Sequence, residues 1–249
     1  MKLFIPLICY NHTMNTEYSM SVMNLVMYLK DNGIVATIYP ITFDSLISRA
    51  RNAAAAFFME DKQSTHLLFI DSDIEFKPED VLKLINAEKE VVCAGYAQKW
   101  LDEETIKKAI LNKVDNVFDI GTKGSVHLEN PIYKVEDLMK CEYVTTGFLL
   151  IKKSAFEKII EEYPDNYYIN DVDAYSSIKT KFYDFFPIGI NKETRRYESE
   201  DYGFSRLYKN ISYENKLWCH TNIVLKHHGW YGYKNNLNKQ LKLLSNGTI

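Results

Sequence analysis

Short apolar runs alternate with amphipathic stretches over the first 95 residues. Leu3 to Cys9 is a continuous apolar run of the length a buried strand needs. Met20, Met23, Val26 and Met27 fall at helical spacing within residues 18–31, and Gly33 closes that pattern. Ile34 to Tyr39 predicts a second strand, stopped by Pro40. Asp44 is placed to cap a helix running through Glu60, with Leu46, Ile47, Ala50, Ala54, Phe57 and Phe58 as its apolar set. His66 to Ile70 predicts a third strand. Pro78 suits the first position of a helix ending near Ala87, and Val91 to Gly95 predicts a fourth strand. This succession predicts an α/β fold with a doubly wound, mostly parallel sheet flanked by helices.

After Gly95 the alternation breaks. Residues 96–140 are mixed and charged. Tyr143 to Lys152 predicts one strand, followed by a helix from about Ser154 to Glu162. Residues 163–198, rich in Tyr, Phe, Asp and Asn, read as long loops. A short helix near Asp201–Lys209 and a strand near Thr221–His228 complete the pattern. The whole chain reads as one domain of residues 1–249, with a regular half (1–95) and a loop-rich half (96–249). Eleven of the 18 tyrosines follow residue 160, which suits loops that grip a polar ring with an apolar face.

Composition narrows the function. With 30 Lys+Arg against 33 Asp+Glu, the net charge of -3 gives no general attraction to nucleic acid or an anionic membrane. No apolar run approaches the ~20 residues a membrane helix needs. The N-terminus lacks a small-residue cleavage site and reads as a first strand rather than a leader. The four cysteines, Cys9, Cys93, Cys141 and Cys219, form no C-x-x-C pair, which predicts a reducing, cytoplasmic setting. N-x-[ST] triplets at Asn11, Asn210 and Asn246 carry no meaning there. Neither of the common Gly-rich phosphate loops is present, so a nucleotide must be held in another way.

The sharpest motif is Leu67-Leu68-Phe69-Ile70-Asp71-Ser72-Asp73, an apolar strand running into two acids. In open α/β sheets ligands bind outside the carboxyl ends of strands, where these acids fall. Two such carboxylates can hold a divalent cation whose other positions go to water and phosphate. The ordinary alternative is a pair of solvated loop acids. Ser199-Glu200-Asp201 opens a helix, where acids favour the macrodipole but can also act as a general base. In Leu225-Lys226-His227-His228-Gly229, alternation puts His227 on the face of Ile223 and Leu225, and His228 on that of Val224 and Lys226. An inward His227 beside carboxylate oxygen shifts the metal from Mg2+ toward Mn2+. Gln98 and Lys99 follow a strand end and are placed to touch acceptor or phosphate. Arg51 has an ordinary reading too, as a side chain snorkelling from an alanine-rich helix.

Taken in order, these elements resemble the nucleotide-sugar-dependent glycosyltransferases of the GT-A (Rossmann-like) fold. The elements are the Pro6–Asn11 strand end, Ser48-Arg49-Ala50-Arg51-Asn52, Asp71-Ser72-Asp73, Thr145-Thr146-Gly147-Phe148-Leu149-Leu150, Ser199-Glu200-Asp201 and His227-His228-Gly229. The start of the chain and the segment Ser48–Phe58 resemble small transferases of large DNA viruses and phages, which would make the setting host cytoplasm. The resemblance implies residues 1–95 for the nucleotide sugar and 96–249 for the acceptor. It implies Pro6, Leu7 and Cys9 at the nucleobase, Asp44 at base or ribose, and Arg51 at base or diphosphate. It further implies Asp71 and Ser72 at ribose, donor sugar or metal, Asp73 with His227 at the metal, and Gly147 beside the acceptor. Asp201, with Glu200 as the other candidate, would be the base of an inverting transfer. The implied cofactor is Mn2+ or Mg2+, the donor a UDP-sugar, and the acceptor a glycan or glycoprotein hydroxyl. Two rivals remain at this stage, a sugar-phosphate nucleotidyltransferase and an inactive nucleotide- or sugar-binding module.

Overall fold

In the computed structural model, which describes residues 1–245, strands and helices alternate from the N-terminus. They are β1 (Lys2–Cys9), α1 (Thr16–Asp31), β2 (Val35–Thr42), α2 (Ile47–Glu60), β3 (His66–Ile70), β4 (Ile74–Glu75), α3 (Pro78–Asn86) and β5 (Val91–Cys93). Then follow α4 (Glu103–Leu111), β6 (His127–Leu128), β7 (Lys134–Val135), β8 (Leu138–Tyr143), β9 (Phe148–Lys152), α5 (Lys153–Glu162), β10 (Tyr167–Tyr168) and β11 (Phe182–Tyr183). The rest are β12 (Gly189–Ile190), β13 (Tyr197–Glu198), α6 (Glu200–Ile211), β14 (Leu217–His220), β15 (Lys226–His228), β16 (Gly232–Lys234) and α7 (Leu237–Ser245). Asn246 lies outside the described residues.

The main sheet runs β2-β1-β3-β9-β5-β14-β8-β6, with β7 also on β8. The α/β class read from the sequence is the one found, with most strands pointing the same way. β9 and β8 run against their neighbours. β3 shows why the sheet is buried on both faces. Leu67 and Phe69 join a core with α2, α5 and α6, whereas Leu68 and Ile70 join one with α1 and α3. Ala53, Ala54, Ala55 and Ala56 are all buried, and their small side chains let α2 lie close on the sheet.

Four expectations about elements need correction. Pro40 does not stop β2, which pairs with β1 as far as Thr42; β2 is an edge strand, where a missing N–H costs nothing on the open side. The buried face of α1 is Tyr18, Ser21, Val22, Leu25 and Leu29, and Met20, Met23, Val26 and Met27 are exposed. Residues 143–152 are not one strand, since the chain leaves β8 at Tyr143 and re-enters the sheet as β9, with β14 and β5 lying between the two. Residues 221–228 likewise divide: β14 ends at His220, and β15 pairs instead with β4 and β16 in a separate small sheet. The loops of 163–198 contain two short hairpins, β10 with β11 and β12 with β13. Among the described residues no helix is long and apolar enough to cross a membrane.

Candidate active site

The carboxyl ends of β2, β1 and β3 lie side by side, because the three strands are parallel neighbours. Each ends in a turn that carries polar or aromatic side chains to one cleft of about 590 Å3. β1 contributes Ile8 and Tyr10, the segment after β2 contributes Asp44, Ser45 and Ile47, and the turn after β3 contributes Asp71, Ser72 and Asp73. Arg51 enters from α2 and Glu200 from the first turn of α6.

The turn after β3 is held by backbone. Asp71 N–H donates to the Gly147 carbonyl at 3.0 Å, Ile74 N–H to the Asp71 carbonyl at 3.0 Å, and Asn15 N–H to the Ser72 carbonyl at 3.0 Å. Gly147 must be glycine here, because a Cβ would come within 2.6 Å of the Tyr96 ring. The jump from β8 to β9 therefore sets Thr146 and Gly147 behind the cleft wall, where neither lines the cleft itself. Thr146 Oγ1 donates to Glu200 Oε1 at 3.3 Å.

Arg51 is 2% exposed and ties two acids together. Its Nη2 reaches Asp71 Oδ1 at 2.8 Å and its Nε reaches Glu200 Oε1 at 3.3 Å, with the guanidinium 5.2 Å from the centroid of the Phe69 ring. Arg51 is thus a buried cation paired with two acids of the cleft wall, not a snorkelling side chain. One oxygen of the Asp71 carboxylate is thereby committed to Arg51.

Asp73 faces the other way. Its Oδ1 lies 3.4 Å from His227 Nε2, and its Oδ2 accepts from Lys99 Nζ. His227 Nδ1 donates to the Ala97 carbonyl at 2.8 Å, which fixes the tautomer and leaves Nε2 facing the carboxylate. Two such acceptors need a proton or a cation between them. Burial alone would raise the Asp73 carboxyl, but the neighbouring His227 and Lys99 outweigh it and lower it to about 2. Only residues 226–228 of that run are strand, so the expected alternation with Ile223 and Leu225 does not extend through it, and His227 and His228 are about equally buried. His228 is not an idle surface residue, since its Nε2 lies 2.7 Å from Glu75 Oε2.

Asp201 and Glu200 differ sharply. Glu200 lines the cleft and is tethered by Arg51 and Thr146. Asp201 makes no salt bridge among the described residues, Arg51 acting on it only at longer range; it accepts from Ser199 Oγ and from Tyr202 N–H at 2.9 Å. Burial first, and the nearby Glu200 charge second, raise its carboxyl above the usual range despite those hydrogen bonds.

The expected nucleobase contacts are only partly placed. Pro6, Leu7 and Cys9 do not line the cleft: Pro6 and Cys9 are buried within β1, and Leu7 packs on the α1 side of the sheet. The residues at the strand end that do line it are Ile8 and Tyr10, and Tyr10, the first residue beyond the apolar run, was the available signal. Asp44 lines the cleft but already accepts from Leu46 N–H, Arg49 Nε and Tyr175 Oη. Burial pushes its carboxyl up, but these donors outweigh that and lower it. Asp44 is therefore an anchor for the entrance of α2 rather than an open acceptor.

No protein-family model matches the chain, and no curated protein matches it. Among solved structures it is similar to A197 from STIV, at 16% identity over 92% of this chain and 86% of that one, with a TM-score of 0.49. It is also similar to a 4-diphosphocytidyl-2C-methyl-D-erythritolsynthase from Anaerococcus prevotii, at 11% identity over 69% and 79% of the two chains, with a TM-score of 0.36. HddC from Yersinia pseudotuberculosis gives 13% identity over 73% and 87%, with a TM-score of 0.35. None of these TM-scores reaches one half, and function has to be argued from the side chains.

Proposed function

We propose that the protein transfers a sugar from a UDP-sugar to a hydroxyl of a glycan or glycoprotein acceptor, with inversion and with the help of a divalent cation. The observation that carries this reading is the divided pair after β3. Within one cleft at the ends of three parallel strands, Asp71 faces a buried arginine and Asp73 faces an oriented imidazole.

Among the described residues no three His, Cys, Asp or Glu side chains form a ready metal cluster. Asp73 and His227 nonetheless fit a cation that takes few protein ligands. Their facing oxygen and nitrogen would hold such a cation, and the Ala97 carbonyl orients the imidazole as metal-bound histidines require. Bound there, Mn2+ or Mg2+ would neutralise the diphosphate as negative charge develops on the leaving group. Arg51 holds Asp71 in place at the sugar side of the cleft, and Glu200 holds Arg51. Tyr10 and Ile47 offer apolar surface for the base, while Asp201, lifted by burial, accepts the proton of the acceptor hydroxyl. A departing UDP and a base on the opposite face of the sugar give inversion.

The test is calorimetry of UDP binding. The cleft has no Gly-rich loop to cradle phosphates, so affinity should fall at least about tenfold when EDTA replaces Mn2+. Equal affinity in the two buffers would remove the metal from the proposal.

A further inference from the structure

Asp73 has two side-chain partners, His227 from β15 and Lys99, and one short segment governs both. Residues 96–98 are fixed against 123–125 by Gln98 N–H to the Lys123 carbonyl at 2.9 Å and Ser125 N–H to the Tyr96 carbonyl at 2.9 Å. From that segment the Ala97 carbonyl sets the His227 tautomer, and the Lys99 ammonium reaches Asp73 Oδ2. The stem of Lys99 crosses over Gly229, where a Cβ would come within 3.2 Å of its Cδ. The ammonium therefore sits on the carboxylate that the proposed cation would use.

The two cations at this site differ in how firmly they are held. Arg51 is 3% exposed at its side chain and shared between two acids, whereas Lys99 is 38% exposed and bound to one. A long, half-open side chain with a single charged contact exchanges partners easily.

We infer that Lys99 is an exchangeable counter-ion: it holds Asp73 while the cleft is empty, gives up that carboxylate to the divalent cation, and turns its ammonium to the diphosphate of the donor. This rests on the reading of Asp73 and His227 as the metal site. Its consequence is that cation and donor favour each other's binding, because each removes a competitor of the other. Without nucleotide, Lys99 competes with the metal. With nucleotide, the same ammonium becomes a phosphate donor.

The test measures Mn2+ binding by the loss of the free-ion electron paramagnetic resonance signal, and UDP binding by calorimetry in Mn2+, for the wild type, Lys99→Met, Lys99→Arg and Asp73→Asn. Without nucleotide, Lys99→Met should bind Mn2+ about tenfold more tightly than the wild type and then bind UDP about tenfold more weakly. Lys99→Arg, which keeps the charge, should stay close to the wild type in both. If Asp73→Asn loses Mn2+ but Lys99→Met binds it no more tightly than the wild type, the exchange is wrong and the metal site stands. If Asp73→Asn binds Mn2+ as well as the wild type, the metal reading is wrong and the exchange falls with it.

Discussion

Asp201 and Glu200 are adjacent in sequence and opposite in circumstance. Glu200 is directly paired with Arg51, so its charge is spent on structure; Asp201 keeps a raised carboxyl and makes no salt bridge among the described residues. Asp201→Asn should therefore cut UDP-sugar turnover by about 10^2–10^4-fold while leaving UDP affinity nearly unchanged, as a calorimetric and kinetic comparison would read. A dead Glu200→Gln beside an active Asp201→Asn would move the base by one residue. The raised carboxyl also has a stability consequence. Between the unfolded and folded values the native state holds the proton more tightly, so stability falls as pH rises through that window. Asp201→Asn should thus melt higher than the wild type at pH 7, and the advantage should vanish in acid below the unfolded value. Arg51 carries a second residue-scale prediction. Arg51→Met strands Asp71 and Glu200 and should cost about 3 kcal/mol in urea denaturation. Adding Glu200→Gln should recover part of that loss, because the two sites share one interaction. The sequence could present Arg51, Glu200 and Asp201 as candidates. It could not rank the acids, because the ranking depends on a guanidinium 149 positions away from Glu200.

At the scale of elements, what was legible follows from local periodicity. β3 and α3 lie close to where apolar pattern and Pro78 place them, since both are decided by near neighbours. The breaks at residues 144–147 and 221–225 were not legible. Each stretch is flanked by apolar residues that read on as strand, and only tertiary position decides that the chain changes strand or sheet there. Those two breaks build the site, one bringing Gly147 to Asp71 and the other bringing His227 to Asp73. α6 adds a constraint of its own. A Cβ on Gly203 would lie 2.0 Å from the Pro187 carbonyl oxygen, so the helix that presents Asp201 is seated by backbone against backbone. Gly203→Ala should cost about 3 kcal/mol by denaturant unfolding and should lower turnover as the helix shifts. An unchanged midpoint would mean that α6 is not seated by this contact.

Across the whole molecule, the division at residue 95 is one of sequence pattern and not of the sheet. β9 enters between β3 and β5, and β14 pairs beside β5, so strands from both halves form one surface. The cleft is likewise shared, with Asp71 and Asp73 from the first half and Glu200 from the second. Composition and alternation were enough to predict the class of fold. They could not give the order of strands, which is set by pairings far apart in sequence. If this shared cleft breaks a sugar–diphosphate bond to release UDP, as proposed, its products show it. The purified protein is incubated in Mn2+ with a panel of UDP-sugars, and separately with UTP and sugar 1-phosphates, while UDP and pyrophosphate are both quantified. The account predicts UDP from a UDP-sugar, lost in Asp201→Asn, and no pyrophosphate; pyrophosphate from UTP and a sugar 1-phosphate, with no UDP release, would contradict it.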